Sequence, residues 1–153
     1  MLLVVFYIGD ERYALDSSHV LEIVPMVVFR EVPGAPGYLC GLFQYGGQIV
    51  PVVDLTSLAG RGRSRRFLSS RIILVRSQGT GGRSRILGLL AERVTDAVKV
   101  EQGDLTPAVI TIKDAPYIGD VVTDADGMIL CIGVNGLLPP SIEEMLFPPS
   151  GVE

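Results

Sequence analysis

Few side chains in this chain of 153 residues could do covalent or metal chemistry: one histidine, His19; two cysteines, Cys40 and Cys131; and two lysines, Lys99 and Lys113. A zinc centre needs several His, Cys or carboxylate ligands at recurring spacings, and neither His19 nor either cysteine has a second such ligand nearby in sequence. Neither lysine follows a glycine, so the chain has no phosphate-cradling loop, and no Gly-x-Ser-x-Gly elbow presents a nucleophile. Asp124-Ala125-Asp126-Gly127 has the look of a calcium loop. Met128, however, stands where the next oxygen ligand is required, and Asn135 where a bidentate glutamate would close the shell. The Asp-Gly step instead favours a positive-φ hairpin turn. Asp54-Leu55-Thr56 lacks the glycine that follows the catalytic aspartate of a small β-barrel protease. These patterns lead us to expect no enzyme, no cofactor and no metal.

The formal net charge is −4 and the isoelectric point near 5.0, but the charges are segregated. Between Leu55 and Ala91 there is no acid, while eight arginines occur, at 61, 63, 65, 66, 71, 76, 83 and 85. From Glu92 onward eleven acids face only Arg93, Lys99 and Lys113. The basic segment from Arg61 to Arg85 offers an alternative function, binding of nucleic acid or another anionic partner. Single-strand binders interleave such charge with stacking aromatics, and here Phe67 is the only one. The simpler expectation is a solvated loop, mobile and dispensable over Gly60 to Ser64, with arginines reaching acidic neighbours.

The elements that would position these residues are mostly strands. Leu2 to Ile8 is apolar on both faces and suits a strand between two sheets, followed by a turn at Gly9-Asp10 and a strand from Arg12 to Asp16. Asp16, Ser17 and Ser18 can cap one helical turn before Val20 to Val28 resumes an extended pattern. Leu39 to Tyr45 and Gln48 to Asp54 flank Gly46-Gly47, a pair able to close a tight hairpin. Pro51 removes a ladder donor, so its strand must be an edge or carry a bulge. Asp54 can cap a short helix through Leu58. Strands follow at Arg71 to Val75, Ile86 to Ala91, Thr95 to Val100, Tyr117 to Thr123 and Met128 to Val134, with a loop at 78–82. Ser141 and Glu144 form a capping box for a helix over Ile142 to Phe147, ended by Pro148-Pro149. About ten short strands with closely spaced turns predict barrels or a sandwich. With 48% hydrophobic residues, one compact unit should bury roughly two-thirds of its unfolded surface without disulfide or metal. Met1 to Ile8 is too short to span a bilayer and lacks a cleavage pattern, and isolated apolar cysteines fit a reducing compartment; a cytoplasmic protein is expected.

The Pro-rich entry Val32-Pro33-Gly34-Ala35-Pro36-Gly37-Tyr38, the hairpin from Gly41 to Leu55, and the ordered pieces Gly9 to Asp16, Val20-Leu21-Glu22-Ile23, Ile72 to Val75, Leu87 to Val94 and Gly127 to Leu130 together resemble the CheW family. These are bacterial coupling proteins that join a histidine kinase to receptors. The resemblance implies an all-β single domain, 1–153, of two interwoven five-stranded SH3-like barrels with a short C-terminal helix. It implies a non-catalytic adaptor whose partners are the regulatory domain of a CheA-type kinase and a chemoreceptor's cytoplasmic tip. Such a protein would be cytoplasmic, recruited to membrane-bound receptor arrays without membrane insertion, monomeric or weakly self-associating, and would not bind nucleic acid. It places receptor contacts at Val20, Glu22, Gly41 and the hairpin-tip Gly46, and kinase docking at the sheet ends of the other barrel without assigning residues. Where most members carry Asn-Leu-Arg-Gly at the hairpin tip, this chain has Gln44-Tyr45-Gly46-Gly47, so the charged contact is gone. The Pro-Gly-Ala-Pro entry and Ala91 to Val94 look closer to Wsp-type or other alternative chemosensory systems.

Overall fold

Leu2–Ile8 forms β1, whose alternation sends Val4, Phe6 and Ile8 to one side and Leu3 and Val5 to the other, all five buried. A strand apolar on both faces needs a core on each side, and the rest of the chain supplies them. The computed structural model describes residues 1–64, 69–78, 84–107 and 117–147. The elements in chain order are β1, β2 (Glu11–Asp16), a 3-10 turn (Ser17–His19), β3 (Val20–Val24), β4 (Leu39–Tyr45), β5 (Gln48–Asp54), α1 (Leu55–Leu58), β6 (Arg71–Gln78), β7 (Ser84–Lys99), β8 (Leu105–Thr106), β9 (Ile118–Asp124), β10 (Gly127–Ile132) and α2 (Pro140–Leu146).

Two sheets share one strand. The first runs β3-β6-β7-β5-β4, and the second leaves the same β7 through β1, β2, β10, β9 and β8. β7 pairs antiparallel with β6 from Ser84 to Ala91 and with β1 from Glu92 to Lys99. Val5 opposes Asp96 while Tyr7 opposes Glu92, so a step of two residues on β1 meets a step of four on β7. Arg93 takes up the slack in the left-handed region at φ +51°, with its guanidinium 5.5 Å from the Tyr7 ring centre. The sequence reading of two separate strands, ending at Ala91 and resuming at Thr95, is thereby corrected to one bulged strand.

Three apolar clusters follow from this sharing. Leu3, Val5, Ala14, Val122 and Ile129 fill the second sheet, and Val50, Val52, Ile72, Leu74 and Leu90 fill the first. Between the sheets lie Phe6, Leu15, Val53, Ile73, Val75, Leu87 and Leu89, covered at one end by Ile142, Leu146 and Phe147 of the α2 region. Strands β1, β5 and β6 therefore bury both faces, each face worth about 1.5–3 kcal/mol per large side chain.

The first sheet curls back on itself. β3 stops at Val24, where Pro25 follows, and not at Val28, which is exposed. The chain then crosses to the free edge of β4, where Arg30 and Leu42 exchange two backbone hydrogen bonds of 2.8 Å. Because Leu42 directs both its backbone groups at Arg30, its partner Pro51 faces the opposite side of β5, just before pairing with β7 begins at Val52. A missing N–H is harmless there. The hairpin closes at Gly46 and Gly47, with φ of +54° and +81°, as a primed turn requires. At the C-terminus α2 begins at Pro140 with no side-chain cap, so the Ser141 capping box does not form; proline's fixed φ starts the helix instead. The loop at 79–82 and the stop at Pro148-Pro149 lie outside the described residues.

Gly41 is buried at a β4 bulge with φ +144°, and a Cβ there would stand 2.5 Å from the Arg30 carbonyl oxygen and 2.9 Å from the Phe29 Cβ. Gly41→Ala is expected to lose about 2–4 kcal/mol in urea unfolding, from strain and overlap together; an unchanged midpoint would contradict this. In the second sheet Arg12 of β2 reaches across β10 to grip both oxygens of Asp124 at 2.9 and 2.5 Å. That hydrogen bond, followed by the Asp126 N–H, holds the Asp124 carboxyl at about 2, below its ordinary 3.8. Stability from this pair is present above the unfolded value and is lost as pH falls through the folded one. Asp124→Asn should lower the melting temperature at pH 7, and the gap should close between about pH 4 and pH 2.

Candidate functional site

The four residues that the resemblance assigns to receptor contact occupy three different settings. On β3 a bulge separates Val20, opposite Val75, from Glu22, opposite Leu74. Val75 packs into the cluster between the sheets and Leu74 into the first barrel, so Val20 and Glu22 point to opposite sides of the sheet. The two therefore do not form one contact surface on β3. Val20 is half-buried and lines a polar groove of about 440 Å³ with His19, Leu21, Arg76, Gln78 and Asn135. Gly41, which the resemblance assigns to receptor contact, is buried against the chain's own Arg30 segment. Gly46 is exposed at the hairpin tip.

Glu22 is joined to that tip by Tyr45, whose hydroxyl donates to Glu22 Oε1. This contact, then partial burial and the Glu22 charge, holds the Tyr45 phenol above its usual range. Sequence reasoning missed Tyr45. Its position immediately before Gly46-Gly47 was the available signal, but the curl that brings β4 against β3 is a tertiary event. Leu21, Ile23 and Ile49 are exposed at 39%, 40% and 62% but do not surround the pair: Ile23 stands opposite Ile73 and Ile49 opposite Gln44, on the other face of the sheet, and Leu21 lines the Val20 groove.

A second cleft, about 520 Å³, is walled by Val27, Phe29, Val32, Pro36, Leu39 and Cys40 and floored by Asp54 and Ser64. Asp54 is buried and caps α1, accepting from Thr56 N at 3.0 Å and Ser57 N at 3.3 Å. Ser64 donates to the same carboxylate through its N–H at 2.8 Å and its hydroxyl at 2.5 Å. A serine on an aspartate invites a catalytic reading, but three backbone donors and burial leave this carboxylate an acceptor within a cap rather than a base open to substrate. The network runs against a passive loop at Gly60 to Ser64, because Ser64 ties the loop's end to α1.

The arginine segment is dispersed. Arg85 pairs with Glu143 at 3.2 Å and lies 4.9 Å from the Phe147 ring centre, fastening α2, while Arg71 bonds the Ser70 carbonyl. Arg65, Arg66, Phe67 and Arg83 lie outside the described residues. His19 is exposed in its capped turn. Burial, then the charges of Asp120 and Asp16, pushes the Cys131 thiol up to about 11, so it is no thiolate at neutral pH. Both oxygens of Asp124 face Arg12, and the Asp126 N–H closes the turn, which makes the segment a hairpin and not a calcium loop. Among the described residues no cluster of His, Cys, Asp and Glu could hold a metal, and no helix is long and apolar enough to cross a membrane.

A pair of curled β-sheets sharing one strand defines a two-barrel fold. The CheW-like domain family matches residues 2–140. The Helicobacter pylori chemotaxis protein CheW is 31% identical over 109 residues, 71% of this chain and 63% of that protein; the matched region thus spans less than two-thirds of that relative. The Rhizobium meliloti chemotaxis protein CheW is 24% identical over 93% of this chain and 90% of its own. Among solved structures, the scaffolding protein TtCheW from Thermoanaerobacter tengcongensis superposes with a TM-score of 0.80 at 30% identity, over 95% of this chain and 92% of that one. The chain belongs to the CheW-like family.

The cap on α1 yields a stability test. Ser64→Ala should cost about 1–2 kcal/mol and Asp54→Ala about 2–4 kcal/mol in chemical denaturation, the larger loss reflecting several donors left buried without their acceptor. Replacing 60–64 by a Gly-Ser linker should cost as much as Ser64→Ala; no loss would restore the loop to a passive connection.

Proposed function

We propose that this protein is a non-catalytic adaptor that couples the cytoplasmic tip of a chemoreceptor to the regulatory domain of a CheA-type histidine kinase. The observation that carries the reading is the agreement over 95% of the chain with a solved scaffolding protein. A scaffold acts by surface alone, and two sheets joined through a common strand provide two separated surfaces held in fixed relation. In this reading the receptor tip, a helical hairpin, docks on the face formed by Glu22, Tyr45 and Gly46, while the kinase takes the sheet ends of the second barrel. The protein works in the cytoplasm, is recruited to receptor arrays by these contacts, and is a monomer or self-associates weakly.

The acidic isoelectric point and the use of Arg85 inside the fold favour a protein partner over nucleic acid. Co-sedimentation tests the reading: a receptor fragment assembled on vesicles should carry the kinase into the pellet only when this chain is present. Kinase left in the supernatant in the presence of the chain would overturn it.

A further inference from the structure

Away from the proposed receptor face, the end of the cluster between the two sheets is covered by the chain's own α2. We infer that α2 is the detachable occupant of a helix seat built around Arg85, and that a partner's amphipathic helix takes this seat when α2 leaves it. The partner helix carries an acid among aliphatic side chains, with an aromatic ring one turn further on.

Few bonds hold α2 in place. It has seven residues, Pro140–Leu146, and none of them is fully buried. A helix so short is not stable alone, so α2 is helical only while it is docked. Pro139 and Pro140 at its start have no N–H to give, and no side-chain cap forms there. Its backbone bonds, from Ile142 and Glu143 to Pro139 at 3.0 Å and from Phe147 to Glu143 at 2.8 Å, are internal, and among the described residues none joins it to a strand. Just before it Leu137 and Leu138 are buried in the cluster, while Pro139 and Pro140 are exposed. Release can therefore stop at Leu138 and leave both sheets folded.

The chemistry that the seat accepts is written in its resident. Ile142, Glu143, Leu146 and Phe147 recur at helical spacing, are half-buried and form the docked face, while Ser141, Glu144 and Met145 are exposed. Arg85 projects to the same side of β7 as Leu87 and Leu89, where it meets Glu143 at 3.2 Å and the Phe147 ring centre at 4.9 Å. Its side chain is only 12% exposed while α2 is docked. Departure of α2 uncovers that guanidinium beside the apolar side chains that Ile142 and Leu146 had covered. A partner helix gains most by restoring both contacts, a carboxylate for the guanidinium and a ring for its face, whereas a lysine in the place of the acid is repelled.

The probe is a labelled peptide copying residues 139–147, blocked at both ends and tested on the full-length protein. In the unmutated chain, hydrogen exchange at the amides of 143–147 should be far faster than in β6 and β7; equal protection would overturn the inference. Leu146→Asp should empty the seat while cooperative melting survives. The peptide should bind this variant at least about tenfold more tightly than the parent, whose own helix competes for the seat. A Leu146→Asp variant that does not fold, or that binds the peptide no better than the parent, would contradict a detachable α2. A peptide with lysine in place of the glutamate that matches Glu143 should bind Leu146→Asp about tenfold more weakly. It should regain affinity when Arg85→Glu is added to that variant, and failure to do so would remove Arg85 as the selecting residue. None of these outcomes involves the contacts of the receptor tip, so the adaptor reading stands or falls separately.

Discussion

The fold depends on one strand belonging to two sheets. β7 can do this only because its ladder slips by two residues at Glu92 to Asp96 and Arg93 accepts a left-handed backbone, a conformation that costs a non-glycine residue about 1 kcal/mol or more. Opposing that cost are the packing of the Arg93 guanidinium on Tyr7 and the bond from Val94 N–H to the Ser69 carbonyl at 2.8 Å. Once β7 is shared, β1 and β6 must be buried on both faces, and the two barrels cannot fold as independent beads. The relation between one barrel's surface and the other's is set by covalent continuity as well as by the cluster between them.

The same geometry sets the position of the proposed docking face. With β7 at the middle of the first sheet, β3 and β4 become its ends, and the curl that brings them together leaves a seam closed in two ways. Backbone bonds between Arg30 and Leu42 close one part, and the Tyr45–Glu22 contact closes another. The first is a backbone pairing that runs beside the buried Gly41, whose missing side chain leaves room for it. The second is exposed and carries charge, so it is available for recognition.

Much of the strand order was legible because periodicity and turn chemistry act locally. Leu2–Ile8, the hairpin from Leu39 to Asp54, the Asp16 and Asp54 caps and the Asp124 to Gly127 turn all follow from alternation, paired glycines or Asx geometry. What sequence did not disclose was tertiary. The continuity of β7 was hidden because no glycine marks its bulge, and the β3 bulge that turns Val20 away from Glu22 leaves no trace in an unbroken apolar run. Gly41 looked like open backbone because Arg30, which covers it, is eleven residues away in sequence. Ser64 sits among glycines and arginines and looked like solvent-exposed loop until Asp54 was found beneath it. Family resemblance pointed to Glu22 and Gly46 but could not supply Tyr45, which lies in the Gln44 to Gly47 stretch where this chain departs from the Asn-Leu-Arg-Gly of most members.

The central claim is that one rigid two-barrel body presents separate surfaces to two partners at once. Hydrogen exchange on the ternary assembly measures this most directly. A receptor-tip fragment should slow exchange in 20–24 and 44–49, the kinase regulatory domain should slow exchange on the second sheet, and the two footprints should coexist with β7 equally protected along both halves. Overlapping footprints, or competition in which one partner restores exchange beneath the other, would contradict it.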